Sequence, residues 1–191
     1  MNIRNITNSD IIQVLRIYKP FITGSGVTFE TSIPAIEEFE KRIDAYTMFF
    51  PWIVADDNGV IAGYAYASKY RERVAYQWVA EVSIYMNPGY TKQGIAAKLY
   101  KALFEILQLQ GIYKVYAVIT IPNNESIGFH EKMGFKWFAT YKNVGYKNGK
   151  WHDVGWWEYN LQDAVDNPQA PLLYPELEPL KVAEIFAKYS W

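Results

Sequence analysis

Residues Ala80–Ala96 read AEVSIYMNPGYTKQGIA. The stretch begins inside an alternating, strand-like segment, Trp78–Met86, and ends at the start of the clearest helix in the chain, Ile95–Leu109. In that helix Ile95, Leu99, Leu103 and Leu107 fall on one stripe, and Gly111 stands where the helix should stop. A strand therefore runs into a loop that delivers Gly94-Ile95-Ala96 to a helix N-terminus. The first-turn N–H groups of a helix are unpaired, its dipole favours an anion, and small residues let a ligand approach the backbone. The functional reading is a phosphate-bearing ligand, with Lys92 adding charge. An ordinary turn is the competing reading, and for this segment alone it is the commoner one. Neither GxxxxGK[ST] nor GxGxxG is present.

Working outward, strand-like and helix-like segments alternate, as in an α/β or α+β domain. Upstream, Asn2–Ile6 reads as a short strand. Asn8 caps a helix from about Ser9 to Tyr18, with Ile12, Leu15 and Ile17 as its apolar positions. Residues 22–31 read as a loop, and Ser32 with Pro34 opens a second helix that ends near Thr47. Trp52–Ala55 and Val60–Lys69 are strands around Asp57-Asn58-Gly59, a hairpin signal. Downstream, Tyr113–Ile119 is a strand and Asn123–Met133 a short helix stopped by Gly134. Phe135–Tyr146 and Trp151–Tyr159 flank a second hairpin at Lys147–Lys150. Residues 1–161 form one domain on this reading. Residues 162–191 are an extension in which Pro168, Pro171, Pro175 and Pro179 forbid continuous structure, with Leu180–Tyr189 closing as an amphipathic helix.

Composition narrows the function classes. The chain has 191 residues, 50% hydrophobic and 17% aromatic, which suits a packed core and excludes disorder or low complexity. Nineteen basic and twenty acidic residues leave a formal charge of −1, so nothing in the overall charge favours nucleic acid or an anionic membrane. There is no cysteine, which removes disulfides, thiolate metal sites and a cysteine nucleophile. His130 and His152 are the two imidazoles, so a histidine-rich metal site is excluded and no metal is expected. MNIRNITNSD lacks an apolar signal segment, and no stretch approaches the roughly 18 apolar residues of a membrane span. The expectation is a soluble cytoplasmic protein. Trp137, Tyr141, Tyr146, Trp151, Trp156 and Trp157 read as core or dimer-interface residues.

The order of parts adds a resemblance. After the strand–loop–helix come a strand, Pro122-Asn123-Asn124-Glu125-Ser126, and His130-Glu131-Lys132-Met133-Gly134-Phe135. This resembles the GNAT superfamily of acetyl-CoA-dependent N-acetyltransferases, whose pyrophosphate loop Gln/Arg-x-x-Gly-x-Gly/Ala is matched by Thr91-Lys92-Gln93-Gly94-Ile95-Ala96, with Thr91 departing from the pattern. Further features are similar to the phosphinothricin N-acetyltransferase branch, which includes the methionine sulfone and sulfoximine acetylators. They are Thr28-Phe29-Glu30-Thr31, Tyr46, Pro51-Trp52, Arg71-x-Arg73-x-Ala75-Tyr76, Glu81, and Gly145-Tyr146-Lys147-Asn148-Gly149-Lys150-Trp151-His152-Asp153-Val154.

The resemblance implies a GNAT fold, a mixed, mostly antiparallel sheet flanked by helices. It implies acetyl-CoA held where the central strands splay, a small-molecule amine acceptor of the amino-acid type, and a homodimer. Glu81 becomes the general base, through a water. His130, at a position where many relatives have a tyrosine that protonates the leaving thiolate, becomes the second catalytic residue, protonating coenzyme A or assisting the base. Val82, Ser83, Ile84 and Tyr85 face the pantetheine arm, Thr91 to Ala96 hold the pyrophosphate, and Asn123 with Ser126 fixes the arm. Arg71 and Arg73, on one face if their segment is extended, hold the acceptor with Phe29, Glu30 and Tyr76 around it. The competing readings are a polyamine or peptide N-terminus as acceptor, and a non-catalytic acyl-CoA-binding module.

Overall fold

The computed structural model describes residues 1–191. Seven strands form one sheet in the order β1-β2-β3-β4-β5-β7-β6. They are β1 (Asn2–Asn5), β2 (Trp52–Asp57), β3 (Val60–Lys69), β4 (Val79–Met86), β5 (Lys114–Ile121), β6 (Lys136–Lys147) and β7 (Lys150–Asn160). The helices are α1 (Ile11–Thr23), α2 (Ile36–Thr47), α3 (Ile95–Gln110), α4 (Asn124–Lys132) and α5 (Pro179–Tyr189). Neighbouring strands are antiparallel except β4 and β5, which are parallel. This is the expected mixed, mostly antiparallel architecture. Parallel neighbours need a crossover, and α3 supplies it.

Side-chain period explains the layers. Leu99, Leu103 and Leu107 of α3 are fully buried, and Gly111 ends the helix at φ 89°. Alternate residues of the central strands, among them Ala80, Val82, Val115 and Ala117, join these leucines in the larger core, with α5 at its margin. The opposite face is covered over β2 and β3 by α1 and α2, where Trp52, Tyr64, Tyr18 and Phe39 pack. Both hairpins turn on Asn-Gly pairs with positive φ at each residue, Asn58-Gly59 at 51° and 91° and Asn148-Gly149 at 52° and 77°, as a type I′ turn requires.

The N-terminal elements differ from their sequence reading. A 3-10 turn, Asn8–Asp10, precedes α1, and Thr7 rather than Asn8 precedes that turn. Asp10 dictates this start: it is 4% exposed, accepts from the Thr7 N–H at 2.8 Å, and is gripped by both terminal nitrogens of Arg4. The helix also continues through Pro20 to Thr23. Pro20 removes one hydrogen bond, and burial of Ile22 with the edge contact of Phe21 on Tyr85 offsets the loss. The buried stripe is Ile11, Val14, Ile17, Tyr18 and Ile22, whereas Ile12 is 55% exposed. The second helix starts at Ile36, two residues past Pro34.

Residues 162–173 cross the molecule as a strap. With prolines preventing a ladder, its backbone is tied by single bonds. The Trp78 indole donates to Gln169 O at 2.8 Å, and the buried Gln110 amide donates to Phe49 O and Leu172 O at 2.8 and 2.9 Å. The helix α5 then lies on α3 and β1, where Lys188 pairs with Glu105 at 2.6 Å. No helix is long and apolar enough to cross a membrane.

Arg4 bridges Asp10 at 2.6 Å and Asp56 at 2.8 Å, joining β1, α1 and β2. Asp10→Ala removes the acceptor for Thr7 and leaves Arg4 with Asp56 alone, and should cost about 2 kcal/mol in urea unfolding. The Asp10 pKa is lowered from 3.8, through its bonds to Arg4 and Thr7 and against the opposing effect of burial. The carboxylate's contribution is therefore full above that value and is lost as pH falls through the lower, folded-state pKa. The penalty of Asp10→Ala should accordingly shrink in strong acid; a pH-independent penalty would contradict the ion pair.

Candidate active site

β4 and β5 share three rungs, Val79 with Lys114, Ala80 with Val115 and Glu81 with Tyr116, and then part. Beyond Glu81, β4 keeps its ladder with β3 as far as Met86, and β5 keeps its ladder with β7 as far as Ile121. The facing edges are left without a β-partner. Between them lies a cavity of about 60 Å3 lined by Val82–Tyr85, Ala117–Thr120, Asn123, Ser126, His130, Tyr100 and Val27. The sequence-expected Val82, Ser83, Ile84, Tyr85, Asn123, Ser126 and His130 thus meet in one cleft. Asn123 caps α4, its Oδ1 accepting from the Ser126 N–H at 3.2 Å.

The loop before α3 is shaped by its own side chains. The Thr91 hydroxyl donates to Pro88 O at 3.3 Å and the Gln93 amide to Gly89 O at 3.2 Å. Lys92 (φ 62°) and Gly94 (φ 80°) are both left-handed. Gly94 occupies the N-cap position and α3 has no side-chain cap, so the first-turn N–H groups at Ile95 and Ala96 take no bond from a capping side chain. A Cβ built on Gly94 would meet nothing within 4 Å. These residues fit an extended ligand with amides along the strand edges and an anionic group at the helix.

Glu81 sits on the last shared rung. Its neighbours Ala80 and Val82 are in the core under α3, so strand alternation turns Glu81 to the opposite, open face. Burial pushes its pKa up to about 6, against the opposing influence of Arg71, whose Nη1 lies 3.9 Å from Oε1. A carboxyl so tuned exchanges a proton near neutral pH.

His130 is 4% exposed. Its Nδ1 lies 2.8 Å from Ser126 O, and a carbonyl only accepts, so Nδ1 carries the proton. Nε2 then accepts from the Tyr100 hydroxyl at 2.9 Å. Burial lowers the His130 pKa from 6.5, against the Ser126 bond, and keeps the ring neutral. Tyr100 was not singled out from sequence. The available signal was a tyrosine next to the Leu99, Leu103, Leu107 stripe of α3, where a buried hydroxyl must find a partner.

The residues expected around the acceptor are divided. The Tyr70–Gln77 segment is a loop with a 3-10 turn at Val74–Tyr76, not an extended strand, so Arg71 and Arg73 do not share a strand face. Arg71 reaches Glu81. Arg71 also lines, with Arg73 and Tyr76, a second cavity of about 220 Å3, walled across by Phe49 and by Pro171–Leu173 of the strap. Glu30 pairs with Arg42 and accepts from the Tyr18 hydroxyl at 3.0 Å. Phe29 packs on Gly145, where a Cβ would collide with its ring, and lies 6.1 Å from the His152 ring. His152 is buried and bonds Lys147 O at 3.1 Å. Trp157 is in the core beneath α3, and Trp156, also buried, packs on the opposite face of β7 beside Arg71. No group of three or more His, Asp or Glu side chains is arranged to hold a metal.

Comparisons with known proteins agree with this geometry. Residues 3–156 match the model of the acetyltransferase (GNAT) domain. The chain is 35% identical over 173 residues to the phosphinothricin N-acetyltransferase of Streptomyces viridochromogenes, covering 90% of this chain and 94% of that protein. It is 30% identical over 164 residues to the L-methionine sulfoximine/L-methionine sulfone acetyltransferase of Salmonella typhimurium, covering 85% and 96%. Its fold matches the crystal structure of a phosphinothricin acetyltransferase from Sinorhizobium meliloti in complex with acetyl-CoA, with TM-score 0.81, 29% identity, and 90% and 97% of the two chains covered.

Proposed function

The chain belongs to the GNAT N-acetyltransferases, and we propose that it transfers the acetyl group of acetyl-CoA to the α-amine of a small amino-acid-like acceptor. Phosphinothricin, methionine sulfone and methionine sulfoximine are the leading acceptors, on likeness to relatives named for them. The observation that carries the reading is Glu81: a carboxyl with pKa near 6, on the rung where the strands part, with a guanidinium beside it. GNAT enzymes use acetyl-CoA, which supplies the acetyl thioester when bound.

The chain's own groups then have assigned tasks. Gln93–Ala96 offer backbone N–H groups and a helix N-terminus to the pyrophosphate, with the Lys92 charge nearby and Thr91 holding the loop's shape. The edge of Val82–Tyr85 receives the pantetheine arm strand-wise, and one of its N–H groups polarises the thioester carbonyl. Asn123 and Ser126 close the far wall. Glu81 takes the amine proton, directly or through a water. His130 and Tyr100, bonded to one another, line the sulfur end of the cleft; the Tyr100 O–H proton passes to the departing thiolate, and Tyr100 regains a proton from the nitrogen that has just been acetylated, so that its hydroxyl returns to the His130 Nε2 lone pair. Arg71, Arg73 and Tyr76 take the acceptor's carboxylate or other oxyanion. Phe29 and Glu30 support the acceptor side through the loop that also supplies Val27. Use of acetyl-CoA, a coenzyme of the cell interior, implies a cytoplasmic setting.

We further propose a homodimer. β6 is an edge strand, and Trp137, Tyr146 and Trp151 on the β6–β7 hairpin are 58%, 61% and 60% exposed. Apolar exposure of this kind on an edge strand is ordinarily covered. Light scattering should give twice the chain mass; the mass of a single chain would overturn the dimer.

Free-thiol release from acetyl-CoA should saturate with phosphinothricin, methionine sulfone or methionine sulfoximine. Turnover confined to a polyamine or a peptide would contradict the acceptor assignment, and acetyl-CoA binding without any turnover would favour a binding module. Glu81→Gln should lower kcat by roughly 10²-fold with acetyl-CoA affinity unchanged. The wild-type rate should rise with pH through about 6, as Glu81 deprotonates, and this limb should vanish in the variant. An unchanged rate or an unchanged limb would remove Glu81 from the chemistry.

A further inference from the structure

Two aromatic rings, Tyr70 and Trp156, flank the Arg71 guanidinium, and a third, Tyr116, packs against both of them. Tyr116 is the rung partner of Glu81 on β5, and Trp156 stands beside it on β7, with ring centroids 6.1 Å apart at 78°. Tyr70 closes the group from the β3–β4 loop, 4.8 Å from Tyr116 and 6.1 Å from Trp156. The Arg71 guanidinium carbon lies 4.4 Å from the Tyr70 ring centre and 5.7 Å from that of Trp156. Its hydrogen bond is to Tyr70 O at 3.0 Å, while Glu81, at 3.9 Å, is beyond hydrogen-bond reach. Glu81 therefore attracts Arg71 without fixing it. The Tyr70 and Trp156 rings flank the guanidinium, and a guanidinium held over rings keeps its N–H edge free for a planar anion. Trp156 is 6% exposed and its indole N–H has no partner. A buried unpaired donor is a cost to folding that a smaller apolar residue here would avoid.

We propose that Tyr70 and Trp156 are positioning residues, whose rings hold the Arg71 guanidinium beside Glu81 with its free edge presented to an acceptor carboxylate. They act on acceptor choice through Arg71, favouring an α-amino acid over the same amine without a carboxylate. The inference rests on the proposed role of Arg71 in acceptor binding.

The test compares an amino acid that the enzyme acetylates with its carboxamide, which keeps the amine and loses the carboxylate. Trp156→Leu should raise KM for the acid roughly five- to thirtyfold, the range of a lost cation–π contact, and leave KM for the carboxamide within about twofold. It should also leave kcat and acetyl-CoA affinity close to wild type. Trp156→Phe, which retains a ring, should recover most of the loss. Equal effects on acid and carboxamide, or no effect on either, would overturn the proposal, since damage to the fold does not distinguish the two acceptors. If Trp156→Leu does not fold, Tyr70→Leu in the loop reads the same quantity. Arg71→Ala separates the two levels. If it leaves the acid-over-amide preference intact, the role of Arg71 fails and the positioning role with it. If it abolishes the preference while Trp156→Leu and Tyr70→Leu do not, the positioning role alone fails. Absence of amino-acid turnover would remove both.

Discussion

The parting of β4 and β5 after three shared rungs is the constraint on which the site depends. Each strand keeps one neighbour beyond that point, β3 for β4 and β7 for β5, so the sheet stays continuous while a wedge opens at its centre. Strand twist separates such edges progressively once their ladder ends. Buried backbone groups must be paired, and the wedge leaves a set of them facing each other without partners. The helix that connects the two strands begins at the mouth of the wedge. Its uncapped first turn adds further donors, and left-handed Gly94 leaves the approach to them open. A single topological feature, one parallel pair in an otherwise antiparallel sheet, thus leaves a slot between two strand edges and requires the crossover helix whose first turn is uncapped.

The same wedge sets the electrostatics. Glu81 is the last paired residue, so it is packed enough for burial to raise its pKa and open enough for a ligand to reach it. Arg71 works against that shift from one side. Across the cleft, the Ser126 carbonyl fixes the proton of His130 on Nδ1, which commits Nε2 to the Tyr100 hydroxyl. The two walls therefore hold opposite resources. One has a carboxyl able to take a proton near neutral pH, and the other has an O–H kept in place by a neutral ring.

Much of this was legible in the sequence where local rules and tertiary packing agree. The Leu99, Leu103, Leu107 stripe and the Asn58-Gly59 and Asn148-Gly149 turns state their structures directly. The cleft residues were legible through motif order, since spacing alone left Gly94 ambiguous between a turn and an anion site. Reading failed where a distant partner decides. Asp10 moves the start of α1 because Arg4 is there to receive it, and burial of Ile22 carries the helix through Pro20. Whether Arg71 and Arg73 share a face was left open by the sequence, and the segment proves to be a loop outside the sheet, leading into the 3-10 turn at Val74–Tyr76. Tyr100 and Trp156 look like core residues in a one-dimensional pattern, because nothing local shows which ring faces a cleft. The strap over Gln110 has no periodicity to read, being held by scattered single bonds.

The most direct test of the central claim is amide hydrogen exchange of the whole protein with and without acetyl-CoA. If the wedge and the helix start form one coenzyme site, acetyl-CoA should slow exchange at Val82–Tyr85 and at Gly94–Ala97 together, with little change at Trp137–Tyr146 on the edge strand. Protection confined to another surface, or protection of the helix start without the β4 edge, would contradict it.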